Sequence, residues 1–268
     1  NMTFNGSAET SRVRGSRKGG IRAYWVDEAG TITSSFPRFR QITLHPWKLA
    51  ALIPTTSELE QDAFVSLPQL LARNAAEEIQ VTLSEAIING TGAGQPLGIA
   101  NAPNRIAVAA ESPQLAATIM AENIDKMYLR RFGQDTQNYI WLYHQDCEQQ
   151  LQQLQYATGT SGQLLYQPPG GMAAAPYATL KGRPLVPLEH AATLGTVGDI
   201  RLVDLSKYLG CTRGGLQTAM SPHLYFTTDQ NAYRFLFRFD GQPWEHSAVT
   251  PMNGTNTMSA FIELATRA

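Results

Sequence analysis

A chain of 268 residues with 43% apolar content is long enough for one large domain or two smaller ones with a sizeable core. Its formal net charge of −1 argues against a protein whose business is electrostatic binding to nucleic acid or to an acidic membrane surface. Only 16% of its residues are charged, against roughly 25% in soluble globular chains, which implies that much of the surface meets protein rather than water.

Residues 1–20 are polar and rich in Gly, Ser and Arg, and by themselves predict a flexible segment. The only dense basic run is here: Arg12, Arg14, Arg17 and Lys18. Four charges are a modest phosphate footprint and read better as a loop or a protein contact. Residues 21–26 (IRAYWV) and 38–44 (RFRQITL) are β-prone and flank turn formers at 27–37, which predicts a long two-stranded hairpin. Such a ribbon is marginal alone in water. It carries Tyr24, Trp25, Phe36, Arg38, Phe39 and Arg40, residue types enriched at interfaces, with Asp27 and Glu28 at its turn. The reading is a ribbon lying on another subunit; a hairpin folded back on its own domain stays open.

Residues 49–54 (LAALIP) predict a strand and 57–63 a short helix. From 67 to 89 the spacing predicts one long helix. Leu67, Leu71, Ala75, Ile79, Leu83 and Ile87 recur every four residues and form an apolar face. Ser66 fits the N-cap, Pro68 is tolerated in the first turn, and Asn89-Gly90 supplies a stop in which glycine can take positive φ. Beyond it come a strand at 105–109, an amphipathic helix at 117–132, a buried-type strand at 139–143 (YIWLY) and a Gln-rich helix at 145–155. Residues 155–177 read as loop. A turn at Gly182 leads into a strand whose prolines suggest an edge, and a further strand covers 200–204. Residues 218–225 and 233–239 predict strands, the second with Arg234, Leu236 and Arg238 on one face and Phe235, Phe237 and Phe239 on the other. A last strand covers 259–264. Helices and strands mix without a βαβ rhythm, so the fold class is α+β.

Nothing in this order converges on chemistry. The glycines at Gly90, Gly92 and Gly94 resemble a phosphate loop but follow a helix, where a phosphate loop must open one. The five histidines are scattered, no Gly-x-Ser-x-Gly elbow occurs, and Glu77-Glu78 point apart as helix neighbours. Cys147 and Cys211 show neither metal-ligand spacing nor a disulfide framework, so a reducing compartment is the default. No apolar run approaches the roughly 20 residues of a membrane span. Asn5-Gly6, Asn89-Gly90 and Asn253-Gly254 each precede Ser or Thr in the glycosylation pattern; without a secretory route they read as turns. No catalytic residue, cofactor or metal is expected, and the sum favours a structural protein.

The run NGTGAGQPLGI from Asn89 to Ile99, after an Ala/Glu-rich helix, resembles the tailed-bacteriophage major capsid proteins of the HK97-like fold. Residues 20–30 and 39–43 look like the two sides of that family's extended loop. Residues 49–63, 181–185, 198–200, 229–231 and 233–240 are similar to further family segments in the same order. The resemblance covers nearly the whole chain. It implies an N-terminal segment with extended loop (1–48), a peripheral domain with the long spine helix (49–100 and 223–250) and an axial domain (101–222 and 251–268). The extended loop would place Tyr24, Trp25, Asp27, Glu28, Phe36, Arg38, Phe39 and Arg40 against a neighbour. The spine core would be Leu71, Ala75, Ile79, Leu83 and Ile87, and the exit turn Asn89, Gly90, Gly92, Gly94, Pro96 and Gly98.

The same resemblance implies a homo-oligomer. Hexamers and pentamers would self-assemble into an icosahedral shell that encloses double-stranded DNA without binding it specifically. The location would be the virion capsid, assembled in the bacterial host cytoplasm with no membrane contact; portal, scaffolding and cement or decoration proteins are the candidate partners. Axial contacts would fall near 155–177 and the helices from 117 to 155. Some relatives crosslink a loop Lys to a neighbour's Asn. Between Gly19 and Trp47 this chain has no Lys, Arg40 stands in its place, and Phe235 stands where the Asn would be. A shell held without covalent bonds is therefore expected. Relatives also begin with an arm or a cleaved scaffolding segment, whereas this chain starts almost at the loop. An encapsulin-like compartment and, from another class, a small-molecule hydrolase are the alternatives.

Overall fold

The structure, a computed structural model, describes every residue except 1, 14, 18, 63–65, 134–137, 159–160, 165–178 and 268; at 155–158 and 161–164 it describes the backbone alone. In chain order the elements are β1 (Met2–Ser7), β2 (Phe39–Leu44), β3 (Trp47–Thr56), α1 (Ser57–Asp62), α2 (Leu67–Asn89), β4 (Ile106–Val108), α3 (Ala121–Leu129), β5 (Tyr139–Tyr143), α4 (Glu148–Gln152), β6 (Gln155–Thr158), β7 (Ser161–Leu164), β8 (Thr179–Leu180), β9 (Arg183–Pro187), β10 (Ile200–Asp204), β11 (Tyr208–Thr212), β12 (Gln217–Tyr225), β13 (Gln230–Pro243) and β14 (Phe261–Leu264). The class is mixed α and β. The chain forms two compact units. One holds Thr43–Gly98 and Leu209–Gln242 with the start of the chain; the other holds Phe4–Ile42, Ile99–Tyr208 and Pro243–Ala268. The division implied by the resemblance gave 209–222 to the axial part. Here β12 pairs with β13 and joins the unit of the long helix.

In that unit the period-two strands and the four-residue helix stripe meet. β13 pairs antiparallel with β3 from Gln230 opposite Thr56 to Phe239 opposite Trp47. This register puts Tyr233, Phe235 and Phe237 beside Ile53, Ala51 and Leu49 on one face. Ala75 and Ile79 of α2 close over Tyr233 and Phe235, with Leu71 and Ala72 packed at the margin. Arg234 and Arg238 point to the opposite, exposed face. α1 is tied to β13 through Glu60, which accepts from the Asn231 amide (2.7 Å) and the Tyr233 hydroxyl (2.8 Å). β12 and β11 share the other edge of β13, with Gln217 opposite Leu236 and the Arg213 N–H on the Arg238 carbonyl.

The second unit is built on a six-stranded sheet in the order β4-β14-β10-β5-β9-β8. β10 runs antiparallel to both β14 and β5, while β4 is parallel to β14 and β9 parallel to β5. Every residue of β10 and β14 is buried, the pattern of central strands covered on both faces. α3 packs on β14 and β4 with Ile124 and Met127 fully buried. β8 and β9 form a hairpin whose turn has positive φ at Lys181 (52°) and Gly182 (71°), the handedness that suits a two-residue turn. The outer side of β9 is paired only at Arg183 and Pro184, which leaves it an edge beyond them among the described residues.

Several sequence expectations are corrected. The predicted ribbon is not two-stranded: only residues 39–44 form a strand, and its partner is β1, not residues 21–26. The N-terminal segment expected to be flexible thus supplies the strand, since β2 offers it a ladder that residues 22–38, exposed except at Arg22 and Ser35, never complete. The helix expected over 117–132 is shortened to Ala121–Leu129. Ala117 adopts φ 52°, and the chain enters the helix at Met120, whose N–H is accepted by the Asn123 side chain at 3.0 Å. The Gln-rich helix becomes a 3₁₀ turn (Gln145–Cys147) followed by the short α4. The loop expected at 155–177 contains the β6–β7 hairpin; residues 159–160 and 165–177 of it lie outside the described residues.

Candidate functional site

The feature that demands a function is the excursion of residues 19–38 from the second unit. Its base is closed by the Arg38 N–H on the Gly19 carbonyl (2.6 Å), the Ala8 N–H on the Arg38 carbonyl (2.9 Å) and the Gly20 N–H on Ser16 Oγ (2.7 Å). Further out, the Arg22 N–H reaches Ser35 Oγ (3.2 Å). At the tip the Gly30 N–H bonds the Asp27 carbonyl (2.9 Å), with Ala29 at φ 63° inside the turn. Asp27 and Glu28 are exposed there. Trp25 is fully exposed, Ile32 and Phe36 are about 80% exposed, and Phe39 is 73% exposed. Tyr24 is 45% exposed. Arg38 is exposed, whereas Arg40 is half-buried and donates to the Trp244 carbonyl (3.2 Å). A cleft of about 710 Å³ lies along the inner side of the loop, lined by Glu9, Ser16, Arg22, Tyr24 and Phe36 among others. So much exposed aromatic area on one thin element is unusual for a free surface and is the kind of patch that protein partners cover. Ile32 belongs to this surface but was missed, because it sits among turn formers with no periodic partner.

The other residues singled out from the sequence serve the fold. Along α2, Ala75 and Ile79 are buried, while Leu71, Leu83 and Ile87 are half-buried. Ile88, one step off the four-residue stripe, is buried instead. Ser66 starts the helix without a side-chain cap bond. The exit after Asn89, itself half-buried, folds tightly on itself. Gly90 N–H bonds Ala86 O (2.9 Å), Gly92 N–H bonds Pro96 O (3.1 Å) and Gly98 N–H bonds Gly90 O (2.8 Å). These amides are spent internally, which is why the run cannot cradle a phosphate. Gly90 does not use positive φ, as the sequence suggested: its φ is −55°, and glycine is required because a Cβ would strike the Pro96 and Ala86 carbonyl oxygens. Gly92 (79°) and Gly94 (73°) carry the left-handed conformation, both exposed; Pro96 and Gly98 are buried.

The charged cluster of the second unit is structural as well. Asp199 and Arg267 are fully buried and paired, and Asp199 also accepts from the amides of Gly195 (3.0 Å) and Ile200 (2.9 Å). Glu263 bridges Arg105 (2.7 Å) and Arg201 (3.4 Å) between neighbouring strands. Burial pushes the Glu263 carboxyl above its ordinary range and the Arg201 guanidinium below its own, against the mutual attraction that keeps them paired. Burial first, then the charge of Asp199, pushes the Cys147 thiol up to about 12, so it stays protonated and unreactive. Of the basic run, Arg12 pairs with Glu9 (2.5 Å) and stacks over Phe132, while Arg14 and Lys18 lie outside the described residues. Among the described residues no group of His, Cys, Asp or Glu could hold a metal ion, and no helix is long and apolar enough to cross a membrane.

The family model described as the phage capsid family matches residues 2–254. No curated protein matches the sequence. Among solved structures, the capsid of a native GTA particle aligns with TM-score 0.73 at 17% identity, over 100% of this chain and 86% of that one. A chain from Mycobacterium phage Adephagia aligns with TM-score 0.64 at 16% identity (98% and 84% covered), and one from Microbacterium phage Oxtober96 with 0.66 at 15% (98% and 85%). The fold shared with these chains is the HK97-like capsid fold, over the whole length of this chain.

Proposed function

Since the chain belongs to the phage capsid family and is a structural capsid protein, we propose that it self-assembles as hexamers and pentamers into an icosahedral shell around double-stranded DNA. The unit containing α2 is the peripheral domain, the six-stranded unit the axial domain, and residues 19–38 the extended loop. The observation that carries this reading is the exposed apolar surface of that loop and the start of β2: Trp25, Ile32, Phe36 and Phe39 make a poor free surface and a good intersubunit anchor. DNA is enclosed without a specific site, as suits a chain of net charge −1. Portal, scaffolding and cement or decoration proteins are the partners such a shell would take, and assembly would occur in the host cytoplasm. The shell carries out no catalysis of its own.

The shell is held by non-covalent contacts. Phe235, at the position expected for a crosslinking Asn, is only 2% exposed and sits beneath α2, and the extended loop holds no lysine. The direct test is a pair of loop variants, Trp25→Ala and Arg38→Glu. Both are expected to keep the circular dichroism and melting temperature of the wild-type subunit while losing sedimentation as large particles. Unfolding of the subunit would mean that the loop is part of its own core, and unimpaired assembly would mean that its partner is not another subunit.

A further inference from the structure

Three Asn-Gly pairs occur in the chain, and capsid assembly explains none of the differences between them. Asn-Gly is the dipeptide most open to spontaneous deamidation, because the following amide nitrogen, unshielded by a Cβ, can reach the Asn side-chain carbon. Whether it does so depends on whether that nitrogen is engaged and whether the backbone can turn.

At Asn89-Gly90 the nitrogen is engaged. Gly90 N–H is bonded to Ala86 O at 2.9 Å at the end of α2, and Gly90 is buried with its own carbonyl bonded to Gly98 N–H. At Asn5-Gly6 both residues lie within β1, and Gly6 is buried with the Trp244 ring where a Cβ would be, 2.8 Å away. Asn253-Gly254 differs on every count. Both residues are exposed, Gly254 has φ 95°, and no atom lies within 4 Å of the position of its missing Cβ. Its amide makes no hydrogen bond to a described residue. The segment around it is a loop whose ends are clamped. Val249 and Met258 exchange both backbone hydrogen bonds at 2.8 Å, the Thr250 N–H bonds the Thr10 carbonyl (3.1 Å), and the Arg12 backbone N–H bonds the Thr250 carbonyl (2.8 Å). The tip can therefore rearrange, and even gain a backbone carbon, without disturbing the sheet.

We propose that Asn253 is a site of spontaneous deamidation. The Gly254 nitrogen attacks Asn253 Cγ and loses its proton. The bond from Cγ to the side-chain nitrogen breaks, and ammonia leaves with a five-membered imide behind. Water then opens the imide at either carbonyl, giving aspartate or isoaspartate and releasing a proton; nothing is oxidised or reduced. Asn253 lines a hollow of about 240 Å³ together with Arg12 and Arg17. The reaction replaces a neutral amide by an anion and adds one negative charge to a chain whose formal net charge is −1.

The test is peptide mapping by mass spectrometry of the purified chain aged at mildly alkaline pH, native and in denaturant. In the native protein, deamidation at Asn253 is expected to outrun that at Asn89 and Asn5 by at least roughly tenfold, because the latter two must first open locally. In denaturant the three rates should converge. Native rates at Asn89 or Asn5 matching that at Asn253 would overturn the site.

Discussion

Individual side chains show how burial and charge divide the labour. Ile79 is buried between α2 and the Tyr233–Phe235 face of β13, whereas Val81, two residues on, is 46% exposed. Ile79→Ala is therefore expected to cost about 2–4 kcal/mol in chemical denaturation, and Val81→Ala less than about 1 kcal/mol. Glu245 tests the electrostatics. It is pushed above the ordinary carboxyl range by burial, against the opposing pull of Lys207. A carboxyl whose pKa is raised by folding holds its proton more tightly in the folded state. Stability is then lost as pH rises from the ordinary value of 4.5 through the raised one. Glu245→Gln removes that ionisation. Melting temperatures of variant and wild type should differ little in acid and diverge in the variant's favour as pH rises to neutrality; parallel curves would contradict the burial argument. Glu245 had no signature in the sequence. A carboxylate's setting is decided by what long-range folding brings around it, here burial first and then the charges of Lys207, Asp204 and Glu9.

At the scale of elements, legibility followed the range of the interaction. The helix Leu67–Asn89 and the strands Tyr139–Tyr143 and Ile200–Asp204 could be read with their bounds, because periodicity, apolar runs and stop residues are local. The residues 21–26 could not. They have strand propensity, but a strand needs a partner, and the partner of residues 39–44 is the N-terminal segment. The exit of α2 was legible as a turn and misread in its mechanism, since whether a glycine serves φ or space depends on the neighbouring chain. A pair of variants separates the two roles. Gly90→Ala should cost more than about 2 kcal/mol, because its Cβ meets the Pro96 and Ala86 carbonyls. Gly94→Ala, with open space around it and only φ 73° to accommodate, should cost about 1 kcal/mol. Equal costs would mean that the exit loop relaxes around Gly90. The loop of residues 19–38 was read as an interface from its aromatic and arginine content, and its conformation was not legible there.

For the whole molecule, the low charged fraction, the exposed apolar loop and the match of residues 2–254 to the phage capsid family point the same way. The small number of surface charges made sense once the surface was taken as intended for neighbours. What the composition could not reveal is how the strands divide between two units, because β3 joins β13 from a distance in sequence. Without a lysine in the loop, assembled particles should run on denaturing gels as monomers with no ladder. The central claim, that the chain builds a closed shell from copies of itself, is tested most directly by electron microscopy of the purified protein. The account predicts icosahedral particles made of hexamers and pentamers. A protein that stays a stable, folded monomer under assembly conditions would contradict it.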